Sequence, residues 1–137
     1  MEDITHGYTK GCIMDIKMGT QTYTADSLLI KKKFMQSKDE KTTSARYGLR
    51  ITGYRVYHVV KDQYIECLRD KASEISNKEQ LTWHLQQFFH NGHELRKDVI
   101  SFVIQKLSLL LDWMEAQNVY RFFGSSLFFI YDAGPQM

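Results

Sequence analysis

The segment Gly11-Cys12-Ile13-Met14-Asp15-Ile16-Lys17-Met18-Gly19 constrains the fold more than any other part of the chain. Over its second half apolar and polar residues alternate, and a period of two marks a strand with one buried face. Asp15 and Lys17 then project from one side, and Met14, Ile16 and Met18 from the other. An apolar back thus carries a charged front.

The other elements read less sharply. Ser27 is placed to cap a helix running through Leu28, Leu29, Ile30, Lys31 and Phe34 to about Gln36, with Lys31, Met35 and Lys38 on neighbouring turns of one side. Thr42-Thr43-Ser44 ends it. From Tyr47 to Val60 β-branched and aromatic residues dominate, as in a long strand or the bent arm of a hairpin, and Gly53 within them marks a bulge or a close backbone approach. Ser76 with Glu79 reads as a capping box ahead of a helix bearing Leu81, Trp83, Leu85, Phe88 and Phe89, which Asn91-Gly92 stops. A second helix is expected from about Glu94 to Gln117. Its apolar positions Leu95, Val99, Phe102, Val103, Leu107, Leu110, Leu111 and Met114 recur at steps of three and four, which predicts one buried stripe. In the last run, Ser125 to Asp132, the apolar residues are so continuous that burial on both faces is expected.

At 137 residues, with 43% hydrophobic and 25% charged, the chain has the size and balance of one domain over 1–137. That length buries about two-thirds of the surface exposed by the unfolded form. The single proline, Pro135, and the absence of Gly/Ser tracts or repeats leave no sign of an internal linker. No apolar run reaches bilayer-spanning length and no signal peptide opens the chain, so cytosol or nucleus is the expected location. Cys12 and Cys67, the only two cysteines, read as structural thiols. A net charge of +2 supplies no global field for nucleic acid or a membrane, and no nucleic-acid partner is expected.

Local charge is another matter. Lys31, Lys32, Lys33, Lys38, Lys41, Arg46, Arg50 and Arg55 fall in one short stretch with few acids. Two readings stand: a surface for a compact anionic ligand, or a solvated helix face followed by an arginine-bearing strand. Asp15 and Lys17 likewise admit two. Side by side on a strand they can orient a hydroxyl and meet a transferring phosphoryl group, or they form a surface pair contributing up to about 1 kcal/mol. There is no P-loop, GxGxxG or nucleophile-elbow pattern. His90 and His93 suit helix-end capping better than a metal site, and Trp83, Phe88, Phe89, Trp113, Phe122 and Phe123 have the spacing of core packing.

Several of these segments carry a family likeness. Gly11 to Gly19 resembles the PxxxDxKxG signature of the inositol polyphosphate kinases, with Gly11 where the family has proline. Glu2-Asp3-Ile4-Thr5-His6 resembles the family's hinge, Arg50 to Tyr57 its central strand, Phe88-Phe89-His90-Asn91-Gly92 its helix stop, and Ser125 to Asp132 its SSLL strand. The motifs are ordered, cover essentially the whole chain, and look most similar to the multikinase branch, with the hexakisphosphate kinases next.

The resemblance implies an α+β fold: an antiparallel sheet backed by two packed helices, like the larger lobe of a kinase. It implies transfer of the ATP γ-phosphate to a hydroxyl of an inositol phosphate, with Mg2+. The backbone around Glu2 and Ile4 would receive adenine and Leu127 would lie against the base. Asp15 would sit where ribose and reacting hydroxyl meet, and Lys17 would contact that hydroxyl and the phosphoryl group. Lys31, Lys38 and Arg55 would hold substrate phosphates, and Arg50 is a further candidate. A phosphoinositide lipid is an alternative substrate. The family's ATP-phosphate lysine and metal-binding aspartate would lie outside the chain at either end, so no metal ligand is assigned within it. The chain by itself is then expected to be a weak kinase or a non-catalytic binder of inositol phosphates or partner proteins, with apolar edges around Phe128 and Ile130. Gly11 is expected to loosen the approach to the charged strand.

Overall fold

The computed structural model describes residues 1–134, and Pro135 lies outside them. In chain order it comprises β1 (Gly11–Met18), α1 (Leu29–Lys41), α2 (Ser44–Tyr47), β2 (Leu49–His58), β3 (Gln63–Cys67), α3 (Arg69–Ala72), α4 (Lys78–Phe89), α5 (Lys97–Ala116) and β4 (Ser126–Asp132). The strands form one antiparallel sheet in the order β3-β2-β1-β4. The fold is α+β, as the motifs imply.

β1 is paired on both sides, and its alternation is realised as read: Cys12, Met14 and Ile16 are buried while Asp15 and Lys17 are half-buried on the other face. Behind the sheet these side chains join Ile51, Tyr54 and Val56 of β2 and Leu81, Phe88 and Phe89 of α4. Phe88 is fully buried, with the rings of Tyr54, Phe89 and Tyr131 set edge-on around it. Both thiols are buried, and desolvation raises the pKa of each.

Gly53 does both things expected of it. Asp15 pairs with Gly53 but Ile16 pairs with Ile51, so Thr52 is an extra residue in β2. A Cβ on Gly53 would come within 3.2 Å of the Cys67 carbonyl oxygen. The bulge returns Arg50 to the face of Lys17, its partner across the ladder.

Several local expectations need correction. Ser27 does not cap α1: its Oγ accepts from the Thr24 N–H at 3.1 Å, closing the preceding turn. The helix continues beyond Gln36 to Lys41, helped by cations in its last turn, and Thr42 ends it with Oγ1 donating to the Lys38 carbonyl at 2.7 Å. The capping box of α4 is one residue further on than Ser76 and Glu79. Asn77 accepts from the Gln80 N–H at 2.8 Å, and Gln80 Oε1 accepts from the Ser76 N–H at 2.9 Å. Asn77→Ala should therefore lower stability by about 1 kcal/mol in urea unfolding. An unchanged midpoint would show that this cap does nothing.

The α5 stripe is not buried. Val99 alone among its residues is, and Phe102 and Leu111 are exposed. Periodicity reports a face that would benefit from cover and says nothing about what supplies it. Between α5 and β4 lies a groove of about 1000 Å³ lined by Phe102, Val103, Leu107, Leu110, Leu127 and Phe129. β4 in turn is an edge strand and not buried on both faces, with Phe128 exposed and Ile130 half-buried. Of the aromatic set, Phe88 and Phe89 are core, whereas Trp83, Trp113, Phe122 and Phe123 are exposed.

Two polar hubs lock the ends of these elements. Arg96, buried at the start of α5, donates through Nη1 to the Asp132 and Gly134 carbonyls and pairs with Asp98. Asn91 donates to the Ala133 carbonyl at 3.1 Å and accepts from the N–H groups of His93 and Glu94.

Candidate functional site

The site is the front of β1. Register places Lys17 between Arg50 and Ser126, and Asp15 between Gly53 and Phe128. Gly53, the partner of Asp15 in β2, adds no side chain beside the carboxylate. Asp15 Oδ1 is buried and has no hydrogen-bond partner among the described residues. Leaving such a group unpaired costs about 1–3 kcal/mol, so the position is one that a ligand hydroxyl would satisfy. On the same face, Lys17 Nζ donates to Ser126 Oγ at 3.3 Å, which fixes the ammonium on the β4 side.

Arg50 sits across the ladder from Lys17 and is only 4% exposed. Its Nη1 donates to Asp39 Oδ1 at 2.6 Å and to Ser44 Oγ at 3.0 Å. Asp39, the buried residue of α1, also accepts from the Thr22 N–H and from Thr22 Oγ1, at 2.9 and 2.6 Å. This cluster pins the C-terminal end of α1 to the start of β2. Arg50 Nε is buried and unpartnered, so this face presents an unpaired acceptor on Asp15 and an unpaired donor on Arg50.

The pinned helix brings Lys38 to the same place. Its pKa is lowered, first by burial and then by the positive charges of Arg50, Arg69 and Lys17, with Asp70 opposing. The positive charges of Arg50, Arg69 and Lys17 thus bear on Lys38, an arrangement that a multiply charged phosphate ligand relieves.

Not every expected residue joins them. Lys31 is exposed on α1, seven residues before Lys38 and so about 10 Å away along the helix. Arg55 lies on the same sheet face, but its guanidinium stacks over the Tyr64 ring at 3.6 Å and is held toward β3. Glu2 and Ile4 are exposed in the turns before β1. Leu127 pairs with Ile16 and therefore belongs to the face opposite Asp15, whereas Phe128 pairs with Asp15 itself. Just before Gly11, the Asp132 carboxylate accepts from the Thr9 and Lys10 N–H groups, at 2.9 and 3.3 Å, and ties the approach to the end of β4. His90 acts in capping, its Nδ1 accepting from the Gly92 N–H at 3.0 Å.

Arg69 was not among the sequence candidates. It opens α3 directly after β3, and neither element has a sequence signature strong enough to place it near Lys38. Among the described residues no group of three or more His, Cys, Asp or Glu side chains forms a metal cluster.

Comparison with known proteins follows the same lines. The family model described as inositol polyphosphate kinase matches residues 1–137. The inositol polyphosphate multikinase of Homo sapiens is 37% identical over 136 residues, covering 99% of this chain and 32% of that protein. Inositol hexakisphosphate kinase 3 of Homo sapiens is 36% identical over 132 residues, covering 96% of this chain and 32% of that protein. The chain therefore spans about a third of the length of these relatives. A crystal structure of inositol phosphate multikinase from S. cerevisiae in complex with ADP and Mn2+ superposes with a TM-score of 0.84 at 25% identity, covering 98% of this chain and 59% of that one.

Proposed function

Because the chain belongs to the inositol polyphosphate kinase family, we propose that its β1 face is where the γ-phosphoryl of ATP passes to a hydroxyl of an inositol phosphate. The observation that carries this reading is the buried, unpartnered Asp15 Oδ1 on the face it shares with Lys17 and Arg50, where the charges of Lys17, Arg50 and Arg69 bear on Lys38.

The residues divide the work. Asp15 accepts a hydrogen bond from a hydroxyl and orients it. Lys17, held by Ser126, offsets negative charge that develops as the oxygen-phosphorus bond forms. Lys38 and Arg69 receive phosphates on the inositol ring, and the buried Arg50 adds positive charge behind them. Lys31 and Arg55 take part only by extending their side chains from where they now rest. Phe128, and not Leu127, offers the apolar surface beside Asp15 for a nucleotide base, with the exposed backbone near Glu2 and Ile4 as its polar partner. ATP supplies the phosphoryl group. With Asp15 as the single carboxylate pointing from this part of β1, the described residues do not complete a divalent-metal site, and no step here is assigned to a metal.

The test is transfer of labelled phosphate from ATP to an inositol trisphosphate or tetrakisphosphate by the full-length protein. Lys17→Ala should lower kcat about a hundredfold or more. Unchanged turnover would remove Lys17 from the reaction. Calorimetric binding of the inositol phosphate with no transfer in the unaltered protein would replace catalysis by a holding function.

A further inference from the structure

The start of α1 carries an apolar knob that no described residue covers. Leu28, Leu29, Ile30 and Phe34 are 79%, 67%, 85% and 64% exposed. Large apolar side chains scattered singly on a surface are ordinary, but Leu28, Leu29 and Ile30 are consecutive at the tip of the helix, with Phe34 one turn behind Ile30. Ile30 and Phe34 share one side of the helix, and Leu28 and Leu29 wrap its first turn.

The charge around this patch is one-sided. Lys31 and Lys33 are exposed beside it, and Lys32 Nζ lies 5.7 Å from the centre of the Tyr23 ring. Lys38 Nζ is 5.9 Å from the centre of the Phe34 ring, and Lys41 follows one turn on. The first turn has no acid. Of the two acids within the helix, Asp39 is buried against Arg50, and Glu40 accepts from Gln36 at the far end. Asp26, before the helix, is the exposed counter-charge beside the apolar residues, and Asp70 of α3 faces Lys38 further along.

An apolar tip inside a ring of lysines matches the layering of an anionic bilayer surface. Leu, Ile and Phe side chains enter the acyl boundary while lysine stems lie along it and their ammonium groups reach the phosphates. No helix among the described residues is long and apolar enough to cross a membrane, so the contact would be with one leaflet. We propose that the start of α1 docks this protein on an anionic membrane surface, through Leu28, Leu29, Ile30 and Phe34 with Lys32 and Lys33. The net charge of only +2 makes this a local attachment and not a general affinity for polyanions. It does not depend on the phosphotransfer reading.

Flotation of the full-length protein with vesicles tests it, using phosphatidylcholine alone and phosphatidylcholine mixed with phosphatidylserine. Binding is expected only to the mixed vesicles. It should fall about tenfold or more with Leu29→Glu and Ile30→Glu together, and about fivefold with Lys33→Glu. Free inositol hexakisphosphate should not displace the protein, which separates docking at α1 from capture of a headgroup by the β1 face. Turnover of a soluble inositol phosphate by the Leu29→Glu, Ile30→Glu protein should stay unchanged, showing that it folds. Absence of binding to mixed vesicles, equal binding by that variant, or displacement by the free inositol phosphate would each overturn the proposal. Failure of turnover in the unaltered protein would bear only on the kinase reading.

Discussion

Asp39→Ala is expected to destabilise the protein by about 3–5 kcal/mol, read as a fall in the urea midpoint. The carboxylate accepts from Arg50 Nη1, the Thr22 N–H and Thr22 Oγ1, and both partners in the ion pair are almost wholly buried. Removing it leaves the Arg50 guanidinium in a poorly hydrated place with Ser44 Oγ as its one remaining named contact. For a domain whose total stability is about 5–15 kcal/mol, this is a large fraction. Replacing both partners by apolar residues, Asp39→Leu with Arg50→Met, should recover much of the loss, because no buried charge then stands alone. A fall of less than about 1 kcal/mol for Asp39→Ala would show that the pair does not hold α1 to the sheet.

Phe88→Ala should cost a similar amount, about 3–5 kcal/mol, and lower Tm by on the order of 10 °C. Phe88 is fully buried where α4 meets β2 and β4, and three aromatic rings define its cavity. Those rings cannot collapse inward without abandoning their own contacts, so the vacated space stays largely empty. Trp83, five residues earlier on the same helix, is the control. It is 54% exposed, and Trp83→Ala should change stability by about 1 kcal/mol or less. Equal losses at the two positions would refute the packing described for α4.

The two helix positions also show where reading the sequence ran out. Trp83 and Phe88 look alike as members of an aromatic set, and only the direction in which α4 lies on the sheet separates them. β3 and α3 left little trace. The turn before β3, Val59 to Asp62, contains neither glycine nor proline, and Asp62 itself adopts φ 52° where glycine is usual. Without β3 there was no means of bringing Arg69 to the site. The Asp39–Arg50 pair was equally hidden: each residue reads as surface charge, and they meet because α2 turns the chain between the end of α1 and the start of β2.

What the sequence alone determined was local and repetitive. The alternation in β1 put Asp15 and Lys17 on one face because strand geometry has a period of two wherever the strand lies, and ordered motifs identified the family. The tertiary structure decided which cations surround that pair, which residue of β4 shares its face, and which apolar stripes are covered. Those outcomes depend on a bulge at Thr52, on the sheet order, and on contacts between residues far apart in the chain. A one-residue shift in register reverses every side chain of a strand, so whether Leu127 or Phe128 shares the face of Asp15 rests on information that no local pattern contains.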